Sequence, residues 1–147
     1  MIHHGTDLTA EERKPLVDLY DAEIRCMDDC FAELVSELDR LGLRKDSLIV
    51  VTADHGEEFG EHQGFFHLKQ LYDEVLHVPL LLFGEGLPKG TQVSDMVRLI
   101  DVAPTIFALL GVPQPQHFLG TSLVPLIDGS KSSFAEVMEE WRQAKTR

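Results

Sequence analysis

Between positions 16 and 41 apolar side chains recur three or four residues apart: Leu16, Tyr20, Ile24, Met27, Phe31, Leu34, Leu38 and Leu41. That spacing draws one apolar stripe along a long helix. Asp21, Glu23, Asp28, Asp29, Glu33, Glu37 and Asp39 fall mostly off the stripe and read as its solvated face. Thr9-Ala10-Glu11-Glu12 has the form of a capping box, and Gly42 suits the left-handed residue that closes a helix, so the spacing predicts a helix within 9–42. Pro15 predicts a short first turn or a kink, because an interior proline removes one helical hydrogen bond. The period then changes. Residues 48–52, Leu-Ile-Val-Val-Thr, are apolar or β-branched without a break, which suits a buried parallel strand.

That strand stops at Asp54-His55-Gly56, and in open α/β sheets ligands collect at the carboxyl ends of strands. A loop rich in Glu, Gly, His and Phe follows over 57–66, then a short helix over 67–75. A second buried strand is expected over 78–83, with Pro79 near its start, where a missing amide is tolerated. Gly84, Gly86, Pro88 and Gly90 mark a turn-rich connection, and 93–100 reads as extended. Asp101 is placed to N-cap a helix over 102–110, with Pro104 in its first turn and Gly111 closing it. Residues 120–127 form a compact apolar turn, and a weak helix is expected over 134–143. Helix followed by buried strand is half of an α/β repeat. The fold class is therefore α/β. The chain reads as one partial domain: long helix 9–42, strand and loop 47–67, remaining α/β part 68–129 and polar tail 130–147.

Composition narrows the function more than the fold. A net charge of −12 argues against sequence-independent nucleic-acid binding, which needs clustered Lys and Arg, and disfavours anionic membranes. Met1 is followed by polar residues, so neither a signal peptide nor a membrane span is expected in this soluble chain. A longer parent could be cytoplasmic or exported. Cys26 and Cys30, four apart in the helix, make neither a disulfide framework nor a zinc site. The acids around them disfavour a thiolate nucleophile.

The chemistry concentrates around the two strand ends. His55, His62, His67 and His77 share that region with Asp54, Glu57, Glu58 and Lys69. His3 and His4, near the terminus, are expected to be solvated. Imidazole can pass a proton or bind a metal near neutral pH, and a lysine can hold an oxyanion. This mixture suits cleavage of an anionic ester, in which a metal offsets charge and an acid protonates the leaving group. Asp54 and His55 supply two metal ligands where at least three are usual. No Gly-x-Ser-x-Gly elbow, P-loop or double-glycine nucleotide fingerprint is present. The residues alone give half a metal site and no nucleophile.

Four blocks, in order, resemble the sulfatases of the alkaline-phosphatase superfamily. They are the helix segment 19–23 with Asp28 and Asp29; Val50-Val51-Thr52-Ala53-Asp54-His55-Gly56-Glu57-Glu58-Phe59-Gly60-Glu61-His62; residues 67–80, His-Leu-Lys-Gln-Leu-Tyr-Asp-Glu-Val-Leu-His-Val-Pro-Leu; and Asp101 to Gly111 followed by Gly120-Thr121-Ser122-Leu123. The resemblance covers about 16–129. It implies a partial α/β/α sandwich with a mostly parallel sheet. It implies that Asp54 and His55 bind one divalent cation, calcium foremost, with Mg2+ or Mn2+ as alternatives. Many members carry Asp-Asn there; Asp-His also occurs, including in phosphonate and phosphate-ester hydrolases. His67 matches a position close to the sulfate and leaving group, where it would act as proton donor, and Lys69 with His67 would bind the sulfate. Two family features are missing: the Cys- or Ser-x-Pro-x-Arg motif whose first residue becomes the formylglycine nucleophile, and the paired aspartates of the first strand.

The resemblance therefore implies the C-terminal portion of a sulfuric ester hydrolase acting on a small-molecule sulfate ester, with formylglycine expected in the parent and not in this chain. The separate chain is expected to be inactive. The alternatives are a phosphoester or phosphonate hydrolase or phosphotransferase of the same superfamily, and a non-catalytic binding or structural chain. A strand and a stripe left uncovered would favour self-association through the exposed sheet. A monodisperse monomer in light scattering would contradict that expectation.

Overall fold

The computed structural model describes residues 8–67 and 71–145. The chain divides into two compact units, Met1–Glu85 and Gly86–Arg147. The first unit opens with α1, a single helix over Ala10–Arg40 that runs on through Pro15. The Glu12 amide donates to the Thr9 hydroxyl at 3.3 Å, and the Glu12 carboxylate accepts from the Thr9 amide at 2.9 Å. These two bonds satisfy two of the donors that every helix start leaves without partners. The bonds that the Thr9 amide and the Thr9 hydroxyl donate to the Glu12 carboxylate hold it below its usual pKa, the backbone bond contributing most. At the other end Gly42 adopts φ 69°, its amide bonds Asp39 O, and the Leu43 amide reaches Leu38 O at 2.9 Å. That pair of bonds is the Schellman closure, and Gly takes the left-handed backbone without a Cβ penalty.

One side of α1 packs. Val17, Tyr20, Phe31, Val35 and Leu38 are half-buried. Tyr20 meets Phe59 edge-on at 5.3 Å between ring centres, and Phe31 lies 6.5 Å from Phe83. Ile24, Met27 and Leu34 of the expected stripe stay exposed, Met27 at 69%. No residue of α1 is buried.

Strand β1, Ile49–Thr52, pairs with β4, Leu80–Phe83, in the register Ile49 to Phe83 and Thr52 to Leu80. This pairing is antiparallel, which corrects the parallel strand read from the apolar run. The strand is also half-buried along Ile49–Val51 and exposed at Thr52, not covered on both faces. The physical reason lies in the connection. A parallel return needs a crossover of a dozen or more residues, usually a helix. Among the described residues the only helix between the strands is α2, a single turn over Asp73–Leu76. The Gly56 amide bonds Val75 O at 2.7 Å, folding that turn back beside the end of β1. The segment read as loop instead holds a hairpin of β2, Glu58–Phe59, and β3, Phe65–Phe66, also antiparallel. Both pairings among the described residues therefore depart from the mostly parallel sheet, while the α/β class of helices and short strands stands.

The second unit contains α3, Val102–Leu109; α4, Val124–Ile127; and α5, Phe134–Lys145. Pro104, Thr105, Leu123, Leu126 and Val137 are buried and form its core. Residues 93–98 carry no assigned strand, and a 3₁₀ turn over Leu99–Asp101 leads into α3. Gly111 closes α3 at φ 65°, as expected. Asp101 does precede α3, but its side chain makes no capping bond. Fully buried, it accepts from Arg98 Nε at 2.9 Å, from Arg98 Nη2 at 2.8 Å and from the Thr121 amide at 2.9 Å. The bonded carboxylate raises the Arg98 pKa. Thr105 Oγ1 donates to Asp101 O at 2.6 Å and accepts from the Leu123 amide at 2.9 Å. One buried acid thus ties the helix start to a loop 20 residues on.

Candidate active site

The end of β1 presents Asp54 and His55 side by side. The Asp54 side chain is 90% exposed, that of His55 38%, and Asp54 Oδ1 lies 3.7 Å from His55 Nε2. The two groups therefore neither point apart nor pack into the interior. The His55 amide donates to Asp54 Oδ1 at 3.0 Å, which limits the carboxylate's rotation. His55 Nδ1 stands 2.8 Å from Gly56 O. A carbonyl can only accept, so Nδ1 carries a hydrogen, and in the neutral ring Nε2 holds the lone pair. That lone pair lies on the side of Asp54.

The 3.7 Å separation suits two ligands of one ion with bonds of about 2.0–2.6 Å. A main-chain carbonyl that fixes the tautomer of a ligating imidazole is the usual outer support of such a ring. The donor set, one carboxylate and one imidazole, fits a divalent cation in chemistry and is incomplete in number. Among the described residues no three His, Cys, Asp or Glu side chains are grouped to hold a metal.

The β2–β3 hairpin brings the third element. Its register sets Glu58 against Phe66, and the same register extended by one residue sets Glu57 opposite His67. His67 Nδ1 lies 3.4 Å from both Glu57 oxygens, and the His67 ring stacks on His55 at 3.8 Å between centres and 25° between planes. Three of the expected site residues, Asp54, His55 and His67, thus share one patch. Lys69, His3 and His4 lie outside the described residues. His62 stacks on Tyr72 at 3.6 Å, with Glu74 Oε2 3.7 Å from its Nδ1.

The sequence reading gave Glu57 no particular role. The signal that finds it is the hairpin itself, with Gly60 and Gly64 between two short aromatic-ended segments. Glu58, buried in the hairpin, accepts from the His62 amide at 2.8 Å and the Gly64 amide at 3.0 Å through one oxygen. It organises the turn that carries Glu57 and His67. Phe66 adopts φ 69°, a left-handed backbone that costs a bulky residue of order 1–3 kcal/mol. Beside the hairpin lies a groove of about 190 Å³, with Leu16, Leu19 and Tyr20 of α1 on one wall and Phe59, Phe65 and Phe66 on the other.

Known proteins share this arrangement of elements. A phosphonate monoester hydrolase of Agrobacterium radiobacter matches 86% of this chain with a TM-score of 0.77 and 30% identity, over 25% of its own length. A protein solved in complex with its substrate D-glucosamine-2-N,6-O-disulfate matches 71% of this chain with a TM-score of 0.64 and 30% identity, over 21% of its own length. These likenesses put the chain in the alkaline-phosphatase-like α/β class. The Sulfatase family matches residues 3–112. Human Arylsulfatase K is 36% identical over 118 residues, which are 80% of this chain and 22% of that protein. The chain belongs to the sulfatase family, and it spans about a fifth of the length of the curated relatives it matches.

Proposed function

We propose that these residues form one side of the catalytic centre of a metal-dependent sulfuric ester hydrolase. The observation that carries the reading is the exposed Asp54–His55 pair with the His67 ring stacked against it. Held by that pair, a divalent cation, with calcium first and Mg2+ or Mn2+ next, would offset the charge of a sulfate oxygen. Asp54 supplies a hard oxygen and His55 its Nε2 lone pair. With His67 Nδ1 engaged by Glu57, Nε2 is the nitrogen left to pass a proton to the departing alkoxide. Lys69 is the candidate for holding sulfate oxygens as a point charge. The formylglycine nucleophile would come from residues outside this chain, since no Cys- or Ser-x-Pro-x-Arg occurs in its 147 residues.

A second reading, hydrolysis of phosphonate or phosphate esters, is favoured by the Asp-His pair and by the likeness to a phosphonate monoester hydrolase. Turnover of a phenyl phosphonate against an aryl sulfate by the full-length protein separates the two.

The cation half of the proposal is tested on the chain itself. Calorimetric titration with Mn2+ or Ca2+ should show saturable uptake, weakened at least about tenfold by Asp54→Ala or His55→Ala. Equal uptake by both variants contradicts the assignment. The purified chain should not hydrolyse 4-nitrophenyl sulfate, and sustained turnover would place a nucleophile within these residues after all.

A further inference from the structure

We propose that Glu57 is the positioning residue for His67: it holds the ring by Nδ1 and so selects the one orientation in which Nε2 meets the departing alcohol oxygen. The inference rests on the hydrolase reading for the use made of His67, and on geometry alone for how the ring is held.

The Glu57 carboxylate is committed to this contact. Its two oxygens stand equally far from His67 Nδ1, at 3.4 Å, and the side chain is 19% exposed. Among the described residues it has no other hydrogen-bond partner. Taking a carboxylate this far out of water costs free energy unless a donor meets it, and the imidazole N–H is the donor at hand.

The backbone that carries Glu57 is pinned on both sides. The Gly56 amide bonds Val75 O at 2.7 Å. Glu58 is buried, pairs with Phe66 and accepts from the His62 and Gly64 amides. His67 has less to hold it. Its side chain is 41% exposed. Phe66, the residue before it, keeps a left-handed backbone at φ 69°, a conformation that persists only where neighbours fix it.

Two contacts fix the His67 ring, and they do different things. The stack on His55, 3.8 Å between centres, sets the plane of the ring. A half-turn about Cβ–Cγ leaves that plane unchanged, so stacking accepts both flips. It exchanges Nδ1 for a carbon and moves Nε2 to another edge of the ring. Only the bond to Glu57 tells the two flips apart. The chemistry needs that choice. As the bond from sulfur to the alcohol oxygen breaks, its electron pair goes to that oxygen, and the proton on Nε2 joins it. The ring is left neutral with its hydrogen on Nδ1, the form in which the bond to Glu57 persists.

The test compares Glu57→Ala with Glu57→Gln in the full-length protein, on phenyl sulfate and 4-nitrophenyl sulfate. Phenolate is a basic leaving group that gains from a proton; 4-nitrophenolate departs without one. Glu57→Ala should lower kcat on phenyl sulfate at least about tenfold more than on the nitrophenyl ester, with KM unchanged on both. Glu57→Gln keeps a carbonyl oxygen to accept from Nδ1 and should restore most of the loss. In the isotope-labelled chain, NMR cross-peaks between the His55 and His67 rings should show one flip in the parent and in Glu57→Gln, and a mixture in Glu57→Ala. A merely structural role would slow both esters alike. Equal loss on the two esters, a loss confined to KM, a Gln variant no better than Ala, or an unchanged cross-peak pattern in Glu57→Ala overturns the proposal. If the unaltered full-length protein turns over neither ester, the hydrolase reading fails instead, and the cross-peaks alone decide the role of Glu57.

Discussion

Replacing Gly56 with alanine is expected to destabilise the first unit by at least about 1–3 kcal/mol, the usual cost of forcing atoms into filled space. A Cβ at Gly56 would collide with the Glu74 carbonyl oxygen and stand 3.1 Å from its carbon. Both atoms are main chain, so no side-chain rotation relieves the clash. The Gly56 amide bond to Val75 O would break as the loop moves away from α2. The Gly56 carbonyl would move with it and release the His55 ring. Urea unfolding should therefore show a lowered midpoint, and Mn2+ uptake should fall as well. Gly42→Ala is the control. Nothing lies within 4 Å of an added Cβ there, and only the backbone angle of 69° resists it, at roughly 1–2 kcal/mol. If Gly56→Ala costs no more than Gly42→Ala, close approach is not what holds this loop.

Asp101→Ala should cost the second unit about 2–4 kcal/mol, the range for stranding the partners of a buried charge. The substitution leaves the Thr121 amide without its acceptor and removes both guanidinium bonds of Arg98. Arg98 is 44% exposed and can turn to water, which keeps the loss below that of a fully buried pair. Its guanidinium also lies over the Phe134 ring at 5.3 Å, so α5 should loosen with it. Asp101→Asn keeps one acceptor oxygen and should recover part of the loss. Denaturant midpoints of the two variants decide the matter: values within 0.5 kcal/mol of the parent would mean the network contributes little.

Local signals in the chain carried the helices well. The Thr9–Glu12 box, Gly42 and Gly111 each act within one helical turn, and each does in the structure what its residue type dictates. The Asp54-His55-Gly56 stop after an apolar run was equally legible, because burial and loss of hydrophobicity are read from neighbours. Pairing was not. That Val51 faces Leu81 depends on a return path of nearly thirty residues, and an apolar run suits a parallel or an antiparallel neighbour alike. The β2–β3 hairpin escaped because two-residue strands give no alternation to read. Asp101 shows a third kind of miss. Its position before α3 was correct, yet its carboxylate serves the Thr121 amide, a partner that the spacing of residues around a helix start cannot reveal.

The acceptor that orients His55 belongs to the peptide group of Gly56 and not to any side chain. No codon change can delete that oxygen; it can only be shifted by moving the whole loop. The remainder of the hairpin is under no such restriction. Residues 59–66 can change while the imidazole stays aimed, because none of them supplies that acceptor.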